Sequence, residues 1–110
     1  MEHRFEAPVW RYAGAAGWWF VTLPLEVAED IAATAEAGGF GSVRVSAQIG
    51  STNWATSIFP SKADASYLLP LKAAVRAAEQ LGDGDVVTVC LVIPGRRIML
   101  PAKKKRTSRT

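Results

Sequence analysis

The chain has 110 residues and a mass of 11.8 kDa, enough for one domain and too little for a second core. At 49% hydrophobic and 21% charged residues its composition is that of a globular protein, which excludes wholesale disorder. The formal charge of +3 is unevenly spread: residues 1–101 carry eight Lys or Arg against ten acids, whereas residues 102–110 add five bases and no acid. Residues 1–101 therefore read as one slightly acidic domain and 102–110 as a disordered basic tail. Such a tail would attract nucleic acid weakly and without sequence preference, through counterion release.

A single cysteine, Cys90, rules out an internal disulfide and a thiolate-rich zinc site. A single histidine, His3, rules out catalytic arrangements that need two. Residues 1–12 alternate charged and apolar types, unlike a signal peptide, and no apolar run is long enough for a membrane-spanning helix. These features are those of a cytoplasmic protein of bacterial type with no membrane partner.

Residues 2–12 place Phe5, Ala7 and Val9 on one side at period two and read as a first strand, with Pro8 favouring an edge or a bulge. Gly14 and Gly17 mark a turn before a second strand, Trp18 to Leu23. Pro24 suits the first turn of a helix over residues 25–36, with Val27, Ala28 and Ile31 inward and Gly38-Gly39 as its stop. Val43 to Ile49 alternates strictly and is the clearest half-buried strand. The turn Gly50 to Asn53 returns through Trp54 to Phe59, closed by Pro60. A short strand at Tyr67 to Leu69 leads into a second helix over residues 71–81, and a continuous apolar strand runs from Asp85 to Ile93. Pro94-Gly95 turns the chain into a last strand at Arg97 to Leu100, giving about seven strands and two short helices.

An internal repeat organises these elements. Leu23-Pro24-Leu25 matches Leu69-Pro70-Leu71 at an offset of 46, and Gly41-Ser42-Val43 matches Gly84-Asp85-Val86 at an offset of 43. Each copy is a strand–helix–strand unit too small to bury its own apolar face, so the two are expected to pair about a pseudo-two-fold axis.

The second copy resembles AbrB-like swapped-hairpin proteins in Leu69-Pro70-Leu71-Lys72, Val75-Arg76, Gly84-Asp85-Val86 and Val89. More specifically, the chain resembles the bacterial domain of unknown function 1905. That resemblance rests on Leu23-Pro24, Trp54-x-x-Ser57-x-Phe59-Pro60, Leu69-Pro70-Leu71-Lys72 with Arg76, and Gly84-Asp85-x-Val87. It runs from about Phe5 to Ile93 and implies a mainly β fold with two short helices, a small closed or split β-barrel. It implies no assigned activity and no cofactor.

The chemistry-bearing residues form no catalytic or metal-binding constellation. Cys90 lies within an apolar strand, where a buried small hydrophobe is the ordinary role. Asp83 and Asp85 flank Gly84, where carboxylates commonly cap backbone groups. The strongest site reading combines Trp54, Ser57, Lys72 and Arg76. Trp54 follows a turn, so it either packs in the core or lines a barrel mouth, where ligands often bind. Lys72 and Arg76 are four residues apart and share a helix face. Together these residues offer an aromatic surface, a hydroxyl and two cations for an anionic group. The expected function is a binding module, monomeric or weakly dimeric, for a small anionic ligand or a protein partner. The alternative is an AbrB-like nucleic-acid-binding or regulatory protein.

Overall fold

The computed structural model describes residues 2–14, 17–34 and 41–94. Six strands, β1 (Glu2–Arg11), β2 (Trp19–Thr22), β3 (Val43–Ile49), β4 (Thr52–Ser61), β5 (Ser66–Pro70) and β6 (Val86–Val92), close into an antiparallel barrel in the order β1-β2-β5-β4-β3-β6. Helix α1 (Leu25–Thr34) joins β2 to β3, and α2 (Ala73–Glu79) joins β5 to β6.

Strand alternation fills the interior. Phe5, Ala7 and Val9 from β1, Val43 to Ile49 at every second position of β3, and Val87, Val89 and Leu91 from β6 are all buried. Ile58 and Leu69, both 0% exposed, complete the core from β4 and β5. Each buried Val, Leu, Ile or Phe among them contributes about 1.5–3 kcal/mol by leaving water.

The two ten-residue strands hold the barrel together because each changes partner along its length. Residues 2–8 of β1 pair with β6 and residues 9–11 with β2. Residues 52–58 of β4 pair with β3 and residues 59–61 with β5. Pro8 therefore lies in the middle of the closed sheet, not at an edge. Val9 N–H donates to the Asp85 carbonyl on the β6 side at 2.7 Å. By alternation the Pro8 nitrogen faces β2, whose pairing begins only at Val9–Val21, so the missing donor costs no ladder bond.

β2 and β5 are antiparallel neighbours, so the helices that follow them leave at opposite ends of the barrel. Val27 and Ile31 of α1 pack into the core at one end, and Val75 of α2 does so at the other. Exchanging β1 with β4, β2 with β5 and β3 with β6 reproduces the strand order, as the repeat requires.

Residue by residue, the two sequence matches are out of phase with the structure. Val43 is 3% exposed but Val86 is 67% exposed, so the offset of 43 pairs opposite faces of β3 and β6. α1 starts directly after Pro24, whereas Leu71 and Lys72 intervene between Pro70 and α2. Leu71 N–H donates to the Trp19 carbonyl at 2.9 Å and prolongs the sheet, and Lys72 keeps an extended backbone (φ −72°, ψ 161°). The second helix is consequently Ala73–Glu79 rather than residues 71–81, ending where Gln80 turns left-handed at φ 54°.

β4 and β5 are longer than the sequence pattern suggests, since Pro60 pairs with Tyr67 instead of closing the strand. The expected four-residue turn is a two-residue hairpin, with Gly50 at φ +59° in the first loop position that such turns reserve for glycine. The expected end of the first helix beyond Thr34, the stop at Gly38-Gly39, the strand at Arg97 to Leu100 and the basic tail lie outside the described residues.

Candidate functional site

A cleft of about 430 Å³ opens at the α2 end of the barrel. Its position follows from β2. Val21 points into the core at 0% exposure, so Trp19, two residues earlier, points the same way at the rim. The Leu71–Trp19 backbone bond brings the chain leading into α2 across this rim. Val75, 1% exposed, then pins α2 to the core, and Arg76 lays its guanidinium over the Trp19 ring, 4.9 Å from the centroid.

The aromatic residues take up both sides of the rim. Trp18 and Trp19 face opposite ways, as adjacent residues entering a strand must. Trp18 stacks on Phe20 (6.0 Å between centroids, 7° between planes) and stays 53% exposed. Phe20 in turn packs against Trp10, whose indole N–H donates to Thr22 Oγ1 at 2.8 Å. This outer stack holds Trp18 at the cleft rim. Trp54 is both core and mouth: it is 9% exposed and packed in the core cluster, yet it lines the cleft. Thr56 and Phe59 line the β4 side.

Three of the four residues singled out from the sequence thus meet in one cleft: Trp54, Lys72 and Arg76. Ser57 does not line it; this half-buried residue pairs with Arg44 of β3, and Thr56 supplies the hydroxyl instead. From sequence, one of Trp18 and Trp19 is expected outside the core, under a helix or in a cleft, but neither is among the four site residues. Their adjacency before a strand was the available signal, because it forces one ring out of the core.

The charged side chains lining the cleft are Lys72 and Arg76, and no carboxylate lines it among the described residues. Glu79, one turn after Arg76, is engaged elsewhere: it accepts a hydrogen bond from Thr52 Oγ1 at 2.6 Å. Arg76 Nε–H donates to the Leu71 carbonyl at 3.2 Å. Its two terminal nitrogens make no hydrogen bond among the described residues, so a positioned guanidinium keeps its outer donors free.

The aspartates around Gly84 act on the backbone. Asp83 accepts from Arg11 N–H at 3.1 Å and Asp85 from Gly82 N–H at 2.7 Å. Helix α1 itself exposes the acids Glu26, Glu29 and Asp30, and His3 Nε2 lies 3.3 Å from Asp30.

Fold and site together describe a closed six-stranded barrel, helix-covered at both ends, with an aromatic and cationic cleft at one of them. The chain belongs to the family described as Domain of unknown function (DUF1905), whose model matches residues 5–91. No curated protein matches it. Among the described residues no helix is long and apolar enough to cross a membrane.

Proposed function

We propose that the protein is a binding module whose cleft at the α2 end takes a small anionic ligand. The observation that carries this reading is Arg76: its guanidinium is fixed over Trp19 and tied to Leu71, while its terminal donors remain unspent beside Lys72. A cation held by an aromatic face and a backbone carbonyl loses little further freedom when it grips an oxyanion. The cleft volume lies near the lower end of the range of about 300–1,000 Å³ usual for small-molecule sites.

The test is a thermal-shift screen of anionic metabolites against the wild type and a Lys72→Ala/Arg76→Ala double variant, with the fold checked by circular dichroism. At least one anion should raise the wild-type Tm by several degrees and leave the variant's unchanged. A panel in which no anion discriminates the two would reduce the cations to a solvated surface.

A further inference from the structure

The cleft specifies more than negative charge. We infer that its ligand is a planar aromatic carboxylate, held end-on by the two terminal nitrogens of Arg76 with its ring against Trp18, Trp54 and Phe59. The inference rests on the proposed anion-binding role of the same cleft and narrows it to one chemical class.

The choice of carboxylate over phosphate follows from the donors. Arg76 presents one planar fork, which matches two coplanar oxygens. The other polar side chains lining the cleft are Thr56 and the exposed Lys72. A phosphate carries a third oxygen and close to two charges, and its usual sites surround it with several convergent donors. Here one fork and one solvated ammonium suffice for a single charge.

The choice of an aromatic body follows from the walls. Trp18 is 53% and Phe59 45% exposed, unusually open for rings this large, and both border the same cleft as Trp19 and Trp54. Arg76 already lies on Trp19, so that ring positions the fork. The open surfaces of Phe59 and of Trp18, beyond its stack on Phe20, are left for the ligand, and ring–ring contact adds to simple area burial.

The experiment uses 2-naphthoate, its uncharged amide, cyclohexanecarboxylate, 2-naphthyl phosphate and inorganic phosphate, each titrated into the full chain by calorimetry. Naphthoate is expected to bind about tenfold or more tighter than the amide, which lacks the charge. It should also bind several-fold tighter than the saturated acid, which lacks the flat π-face. Arg76→Ala should cost about tenfold or more in naphthoate affinity. Arg76→Lys should fail to restore it, because an ammonium has no fork. Lys72→Ala should cost about two- to threefold.

Equal affinity for the saturated acid or the amide would overturn the inference. Phosphate or naphthyl phosphate binding as tightly as naphthoate would also overturn it, while leaving the anion-binding role standing. Binding of none of the five would remove the aromatic-carboxylate assignment. The broader role would then fall only if the metabolite screen also failed.

Discussion

At one end of the barrel α1 exposes Glu26, Glu29 and Asp30; at the other, α2 carries Arg76 and is preceded by Lys72. Both helices follow a short strand, anchor through a buried valine and lead into a strand that completes the sheet. Their shared features are those that topology demands, namely the buried residues and the backbone bonds at the strand ends. Their differences lie in side chains the core does not use. The two units thus share one packing solution while their exposed positions differ, and the cleft proposed to bind an anion lies at the α2 end.

The largest effects are expected in the shared core. Leu23 directly follows β2 and Leu69 lies one residue before the end of β5, at 2% and 0% exposure. Leu23→Ala and Leu69→Ala should each cost about 2–5 kcal/mol in chemical denaturation. If one half tolerated its substitution without loss, the two units would not share a core.

Two glycines sharpen the comparison at the α2 end. Gly50 (φ +59°) and Gly84 (φ +91°) both sit in the left-handed region, so alanine at either position costs about 1–2 kcal/mol of backbone strain. A Cβ at Gly84 meets open space, whereas one at Gly50 runs into the Glu79 carboxylate and disturbs its bond from Thr52. Gly50→Ala should therefore be the more destabilising by about 0.5–1.5 kcal/mol. Equal losses in thermal unfolding would show that the Thr52–Glu79 link does not fasten α2 to the hairpin.

The smallest effect is expected at the α1 end. Asp30 is 55% exposed and 3.3 Å from His3 Nε2, which forms no aligned hydrogen bond. Asp30→Asn should change stability by less than about 1 kcal/mol and leave ligand binding untouched, since the Asp30 side chain is more than half exposed and surface substitutions seldom cost more. A loss of ligand affinity in this variant would tie the two ends together and contradict their separation.

Much of the barrel was legible in the sequence because strand alternation and helix periodicity are local. Val43 to Ile49 announces its buried face in every second residue, and Leu23-Pro24 marks a strand end. Partner changes within a strand are not local. Nothing in Glu2–Arg11 shows that β1 leaves β6 for β2 after Pro8, so from sequence alone Pro8 points to an edge or a bulge. The repeat was visible, yet its residue register was not. A match of 43 places Val43 against Val86, and only pairing with β4 and β1 shows that these residues face opposite ways.

The site was legible in part for the same reason. Trp54, Lys72 and Arg76 stood out as residue types, and the fold brings them to one mouth. The orientation of β4 around Ser57 and the bond from Leu71 to Trp19 are tertiary facts, invisible to spacing alone.

Binding confined to the α2 end would be visible in a titration followed by amide, indole and Arg Nε resonances. Addition of 2-naphthoate should shift the indole N–H signals of Trp18, Trp19 and Trp54 and the Nε–H of Arg76, and leave the α1 amides of residues 25–34 in place. Shifts concentrated on α1, or spread evenly over both ends, would show that binding is not confined to the α2 end.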